Sequence, residues 1–359
     1  MAQQQTAVPA YSKRQAFMAL AAILLVYFVY AYFMQTLNNA APMIAADLDG
    51  MALYSWSVSI PSLGLALGMI FAGKLSDIYG RRSLLLASTL VFLLGTIMSG
   101  ASPTFPTFIA ARTLLCLGQG AIAVLCFSIV GDMYTGGERS KWIGLLNVPF
   151  ALAALFGPTL GGWMVDTLSW RHIFWWSLPL FVLCFVFMYG MPRLVQGAAR
   201  RIDVAGAVLV AIASSAFIFG LSFAGTTYPW GSVQVIGLLA LAAVFCWLFL
   251  RAESRAEEPF FDPDLLRNRV FMTASVAGFL SFFGVMAVQL YYPLFMQGIQ
   301  GISATRSGQV ITPLGFLMAF VGVPVGFLVA RTRKYKWMFV AGYALVTLVM
   351  FWMMFFDRD

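Results

Sequence analysis

Long apolar runs separated by short charged turns set the reading of the chain. At roughly 20 apolar residues per helical crossing of a bilayer, the runs predict spans near 16–40, 54–73, 83–101, 105–131, 140–166 and 170–191. Further spans follow near 203–224, 231–250, 270–296, 306–330 and 335–355. The expectation is an all-α, polytopic membrane protein with about eleven transmembrane helices. The polar stretches then divide the chain into an N-terminus at 1–15, a six-helix bundle over 16–192 and two further helices within 203–250. A charged linker follows at 251–269, carrying Glu253, Glu257, Glu258, Asp262 and Asp264, before a partial C-terminal bundle of three helices at 270–359.

Composition agrees with this pattern. Hydrophobic residues make up 61% of the 359 positions and charged residues 10%, against about 25% charged in a typical soluble domain. The net charge of +8 would suit a nucleic-acid partner if the basic residues formed a patch, but they do not. Of the 22 lysines and arginines, only Arg171, Arg306 and Arg358 fall on the side opposite the N-terminus, and Arg112 falls inside a span. The remainder, from Lys13 and Arg14 to Lys336, share the N-terminal side. This bias predicts a cytoplasmic N-terminus in an inner membrane and makes the basic balance topological, with no nucleic-acid partner expected. Cys116, Cys126, Cys184 and Cys246 lie inside apolar runs and read as packing residues, with neither disulfide nor metal spacing. The polar start and long first run predict no cleaved signal peptide. No nucleophile with a paired base and no phosphate loop stands out, so no enzyme, no metal and no cofactor are expected.

Between the second and third spans stands Gly73-Lys74-Leu75-Ser76-Asp77-Ile78-Tyr79-Gly80-Arg81-Arg82. It predicts a tight charged turn at the cytoplasmic face. Gly73 and Gly80 would permit close backbone approach and positive φ, and Asp77, four residues before Arg81, would pair with it on a helical turn. Together with Arg82 these residues suit a conformational latch, because an ion pair at a half-dry interface costs more to break than one in bulk water. The pattern G-x-L-x-D-x-x-G-R-R resembles the loop between helices two and three of the major facilitator superfamily. Gly326-Phe327-Leu328-Val329-Ala330-Arg331-Thr332-Arg333-Lys334 resembles a worn copy of it, with Ala330 where Asp77 stands in the first. Such a repeat implies a transporter of two halves, with the helices of 203–250 inserted between them.

Other stretches extend the resemblance. Arg112 in the fourth span, followed by Gly118, Gln119 and Gly120, is similar to the superfamily's fourth-helix motif, which implies a role in proton transfer or substrate charge. The motif departs here, since Leu115-Cys116 stands where Gln-Gly is usual, and a snorkelling arginine near the outer interface is the plainer alternative. In the fifth span, Ala153, Gly157 and Gly161 repeat every four residues and Pro158 removes a helix hydrogen bond. These positions, with Gly162, predict a bent helix with a close-packing face. The string G-P-x-x-G-G resembles the antiporter motif of drug exporters. Trp170-Arg171-His172-Ile173-Phe174-Trp175 and Glu257-Glu258-Pro259 resemble the fourteen-helix drug:proton antiporter branch, and against that branch the chain stops about three helices short. His172, the single histidine, reads as an interfacial anchor.

A departure weakens the proton reading. Thr36, Asn38, Ala40 and Pro42 match the branch's first-helix motif, but Met34 stands where its aspartate would be. No Asp or Glu lies deep in any predicted span, so a coupling carboxylate is left to Asp77 or Asp132 at the inner mouth or to helices beyond the chain. Gln35, Asn38 and Asn39, at i, i+3 and i+4, share a helix face. With Gln119, Asn147, Gln289 and Tyr292 they are the candidates for lining a substrate cavity, although amide bonds between helices would explain them as well. The resemblance therefore implies a secondary transporter exporting lipophilic or amphipathic small molecules, driven by a proton gradient. The alternatives are an uptake or facilitative carrier for a small polar solute and a truncated, non-transporting remnant. The expected partners are a small-molecule substrate, protons and the lipid bilayer, and a monomer is expected.

Overall fold

The computed structural model describes residues 12–134, 136–192, 204–254, 263–310, 312–313, 317 and 335–353. All regular structure among them is helical. The helices are α1 (Lys13–Asp47), α2 (Trp56–Tyr79), α3 (Arg81–Gly100), α4 (Phe105–Met133), α5 (Gly136–Leu145), α6 (Asn147–Thr167), α7 (His172–Trp175) and α8 (Leu178–Tyr189). After these come α9 (Val204–Phe223), α10 (Val233–Glu253), α11 (Arg269–Gly298), α12 (304–310) and α13 (Tyr335–Met353).

Among the described residues nine helical segments are long and apolar enough to cross a membrane. They coincide with the first nine expected spans. The tenth, near 306–330, lies largely outside the described residues, as does the second charged loop at Gly326–Lys334. The eleventh is present as α13, with its apolar stretch at Val340–Val349. Two expected spans are broken. The fifth divides at Leu146 into α5 and α6, and the sixth divides after Trp175 into α7 and α8.

Polar residues mark the helix starts. Ser12 and Gln15 form a capping box on α1, Thr104 and Thr107 another on α4, and Asn268 accepts from Val270 and Phe271 at the start of α11. Each cap satisfies backbone N–H groups that the helix cannot pair itself. Within the spans, Thr89, Thr96 and Ser99 donate to carbonyls four residues back, which keeps their hydroxyls satisfied in a dry interior.

Successive spans run between two faces. One carries the α2–α3 joint at Gly80; the other carries Asp47. At the Asp47 face, the Asp47 carboxylate accepts from Trp170 Nε1 at 2.8 Å and pairs with Arg171 at 3.4 Å, and Arg171 also donates to the Ser102 carbonyl at 3.2 Å. This corner ties the ends of α1, α3 and α6 together.

The first bundle packs backbone to backbone. A Cβ on Gly120 of α4 would lie 2.0 Å from the Leu65 carbonyl oxygen of α2, and one on Gly68 would lie 2.1 Å from the Leu117 oxygen. Small residues here let two helices approach closely without the hydrophobic drive available in water. Around them, Phe33, Phe92, Phe108, Phe174 and Phe181 form a buried ring cluster with centroids 4.9–6.2 Å apart. The α9–α10 hairpin rests on the flank of α2, where Trp56 meets Phe219 and Phe223.

Candidate functional site

The charged stretch at the Gly80 face is more helical than a turn. α2 continues through Tyr79 and α3 begins at Arg81, so Gly80 alone joins them, at φ 89°. Helix geometry places Asp77 beneath Arg81, and the two side chains meet at 2.8 Å. Arg81 also pairs with Asp132, at the end of α4, at 2.9 Å, and touches the Ser76 hydroxyl. Its side chain is 14% exposed, against 31% for Asp77 and 43% for Asp132. One guanidinium thus fastens the α2–α3 joint to α4 with both of its edges occupied. Arg82 donates instead to the Tyr189 carbonyl at 2.7 Å, tying α3 to the end of α8.

The expectation for the two glycines is corrected in part. Gly80 has the positive φ, but neither glycine makes a close approach, since a Cβ on either would meet nothing within 4 Å. Gly73 is an ordinary interior residue of α2. Gly73→Ala should therefore leave melting temperature and activity unchanged or slightly raised, because alanine is the better helix former. Gly80→Ala should cost about 1–2 kcal/mol, the strain of an L-residue at that φ. Comparing the thermal melts of the two purified variants checks both outcomes.

Arg112 is buried, with 8% of its surface exposed. Its Nη1 donates to the Ser57 carbonyl near the start of α2 at 3.1 Å, and its Nε is buried with no hydrogen-bond partner among the described residues. The side chain is enclosed by the bundle and reaches toward the α2 start at the Asp47 face, so the snorkelling alternative stays open. A guanidinium in a dry interior is costly, and the Nε of Arg112 keeps donor capacity for an anionic or carbonyl group.

The α6 face is built against α1. A Cβ on Gly161 would lie 2.3 Å from Thr36 Cγ2, and one on Gly157 would lie 3.0 Å from Gln35 Cβ. Thr36 Oγ1 donates to the Gly157 carbonyl at 3.2 Å. Gly162 points elsewhere: its Cβ would lie 2.4 Å from the Ala304 carbonyl oxygen. Pro158 lies inside α6, and its carbonyl accepts from Asn39 Nδ2 at 3.0 Å.

The amide candidates separate into groups. Asn39 is buried and bridges helices, donating also to the Ala304 carbonyl at 2.9 Å, while Gln297 donates to the Asn39 carbonyl at 3.0 Å. Gln119 is buried and donates to the Tyr30 carbonyl at 3.1 Å, joining α4 to α1. Gln35 and Asn38 are half-buried on α1. Asn147 is exposed at the first residue of α6, where it donates to the Gly144 carbonyl at 3.2 Å, so it belongs to the α5–α6 break rather than to a central cavity. Gln289 is buried and Tyr292 half-buried; neither lines the apolar cavity of about 490 Å³ along α11, which is bounded by Phe279, Phe282, Phe283, Met286, Leu290 and Tyr291. His172 stays at the Asp47 face beside the Ser169 carbonyl and the Trp176 ring.

Three features escaped the reading by spacing. Asp132 is sequence-distant from Arg81, although both fall at the same face. Thr36 is a small hydroxyl hidden among amides. Asp166, at the end of α6, accepts from the backbone of Ala304 and Thr305 across 138 residues of chain. Assigning each span end to a face would have brought all of these partners within reach; their pairing required the packing.

A family model for the Major Facilitator Superfamily matches residues 23–201 and 198–358. An uncharacterized MFS-type transporter of Mycobacterium tuberculosis is 36% identical over 310 residues, covering 86% of this chain and 45% of that protein. The multidrug transporter protein MdtP of Bacillus subtilis is 32% identical over 295 residues, covering 82% and 54%. The efflux pump FUS6 of Gibberella moniliformis is 29% identical over 354 residues, covering 95% and 62%. The chain thus spans roughly half the length of these relatives. Among solved structures, an auto-inhibited POT family peptide transporter superposes with a TM-score of 0.61 at 17% identity, covering 89% of this chain and 70% of that one. The xylose transporter XylE from E. coli, in a partially occluded inward-open conformation, gives 0.58 at 13% identity, covering 89% and 72%.

Proposed function

The chain belongs to the major facilitator superfamily, and from that membership we propose that it belongs to a secondary transporter that exports lipophilic or amphipathic small molecules by alternating access. The Gly80 face is cytoplasmic in this reading, as the lysine and arginine bias requires, and protons entering from outside drive the cycle. Its relatives, among them a multidrug transporter and an efflux pump, support the class of cargo.

The observation that carries the reading is where α11 meets the first bundle. Its buried residues are Gln289, Pro293 and Met296, all toward the Asp47 face. Toward the Gly80 face it leaves Phe279, Phe282 and Phe283 exposed, along the apolar cavity. Among the described residues the two halves meet toward one face, and an apolar hollow on α11 lies toward the other, which suits a pathway opened alternately to either side. Phe, Met and Tyr walls can adapt to cargo of varied shape.

Within that scheme Asp77, Arg81 and Asp132 hold the inner ends of α2, α3 and α4 in one arrangement. Asp77→Asn removes one of the two carboxylates on Arg81, at a partly exposed site. A pair of this kind contributes up to about 1 kcal/mol, so efflux of a lipophilic dye should slow by roughly two- to fivefold at equal expression. Dye efflux from cells carrying the full-length gene, with and without a pH gradient, measures both the slowing and the coupling. An Asp77→Asn variant that pumps at the parental rate would remove the latch, and efflux indifferent to the gradient would remove proton exchange.

A further inference from the structure

Among the described residues, the contacts that 297–310 and Thr312 make with the first bundle lie toward the Asp47 face. The Asp166 carboxylate, at the end of α6, accepts from the Ala304 N–H at 3.2 Å and the Thr305 N–H at 2.8 Å, and it also touches the Thr305 hydroxyl. The next N–H of α12, that of Arg306, is taken by Ser303 Oγ at 3.3 Å. α12 therefore begins with its first two donors satisfied by a residue of the other half. Beside this contact, Asn39 holds the Ala304 carbonyl, Thr159 and Thr312 hydroxyls meet at 3.1 Å, and Gly162 and Gly308 let the two backbones touch.

The geometry points to Asp166 as the releasable clasp of the outer gate: its carboxylate holds α12 against α6 while the outside is closed and lets go each time it opens. This rests on the alternating-access reading above. The argument is one of exchange. Asp166 is exposed, whereas Ala304 is 2% and Ser307 0% exposed. Water at the rim can replace the carboxylate on two backbone N–H groups without leaving them unsatisfied, so the contact is worth a modest amount and can be made and broken repeatedly. The same face offers a comparison of similar exposure, since the Asp47 side chain is 55% exposed; what differs is the partner. Asp47 is fixed by Trp170 and Arg171 entirely within the first bundle, and Arg171 also covers the Trp170 ring at 4.2 Å. Of two carboxylates at one face, one stitches a half together and the other reaches across to its neighbour.

The test reads the gate directly. A Ser307→Cys reporter, in a Cys246→Ser background that removes the exposed cysteine, is placed in the membrane-embedded chain. It is challenged from outside with a membrane-impermeant maleimide, without cargo or a proton gradient. With Asp166 intact, Ser307→Cys should label slowly. Asp166→Ala should raise the rate roughly tenfold and Asp166→Asn by less, since an amide oxygen still accepts one bond. Asp47→Ala should lower the melting temperature and leave the labelling rate where it was. Unchanged labelling in Asp166→Ala, checked for intact folding by its melt, overturns the clasp, as does an equal rise in Asp47→Ala. Faster labelling of Asp166→Ala that arrives only from the cytoplasmic compartment, with a tag showing the Gly80 face to lie outside, keeps the clasp and overturns the orientation assigned above.

Discussion

Gly120→Leu should prevent the first bundle from assembling in its native form. A Cβ at that position would sit 2.0 Å from the Leu65 carbonyl oxygen, 2.9 Å from the Leu65 carbonyl carbon and 3.0 Å from the Met69 nitrogen. Every one of these atoms is backbone, so no rotamer change relieves the clash. Overpacking a core ordinarily costs about 1–3 kcal/mol by displacing side chains, and here a whole helix has to move. The displacement would also spread, because α4 meets α3 on its other side, where a Cβ on Gly118 would lie 2.6 Å from the Ser88 oxygen. We expect little monodisperse protein on detergent size exclusion, and a melting temperature roughly 10 °C lower in whatever survives. A Gly120→Leu protein that melts with the parent would show that α2 and α4 are not in backbone contact.

Arg81→Gln should reduce transport more than loss of either carboxylate. Asp77→Asn leaves Asp132 on the guanidinium, and Asp132→Asn leaves Asp77; Arg81→Gln removes both ion pairs and the cation that the two carboxylates share. Without that shared cation the two carboxylates repel and push the inner ends of α2 and α4 apart. Efflux should fall by about tenfold or more at equal expression, and Arg81→Lys should recover only part of it, because a point charge cannot hold two partners in the fork geometry of a guanidinium. A double variant, Arg81→Gln with Asp132→Asn, should outperform Arg81→Gln alone. If it does not, repulsion between the carboxylates plays no part.

The helices were legible because a bilayer admits only helices and closed barrels, and apolar runs of about 20 residues suit a helix rather than a strand. The Asp77–Arg81 pair was legible for a similar local reason, since a spacing of four residues stacks side chains on any helix. Gly73 was misread because a glycine in a charged stretch looks like a turn whether or not the helix has ended. The partners of Asp166 and Asn39 were illegible for the opposite reason. Each depends on two helices far apart in sequence lying at a particular angle, and residue types alone carry no record of that. The cavity shows the same limit. The amides that spacing offered for it, Asn39 and Gln119, spend their hydrogen bonds on helix carbonyls, while its wall is a run of aromatic and aliphatic residues indistinguishable in sequence from any lipid-facing surface.

The single-residue joint at Gly80 has a mechanical consequence. A long connector between α2 and α3 would absorb a shift of either helix as slack. One residue stores almost none, so a displacement at the end of α2 reaches α3 nearly undiminished, as a push does through a short crank. Two helices linked in this way behave as one lever, and the ion pairs around Arg81 act at its elbow.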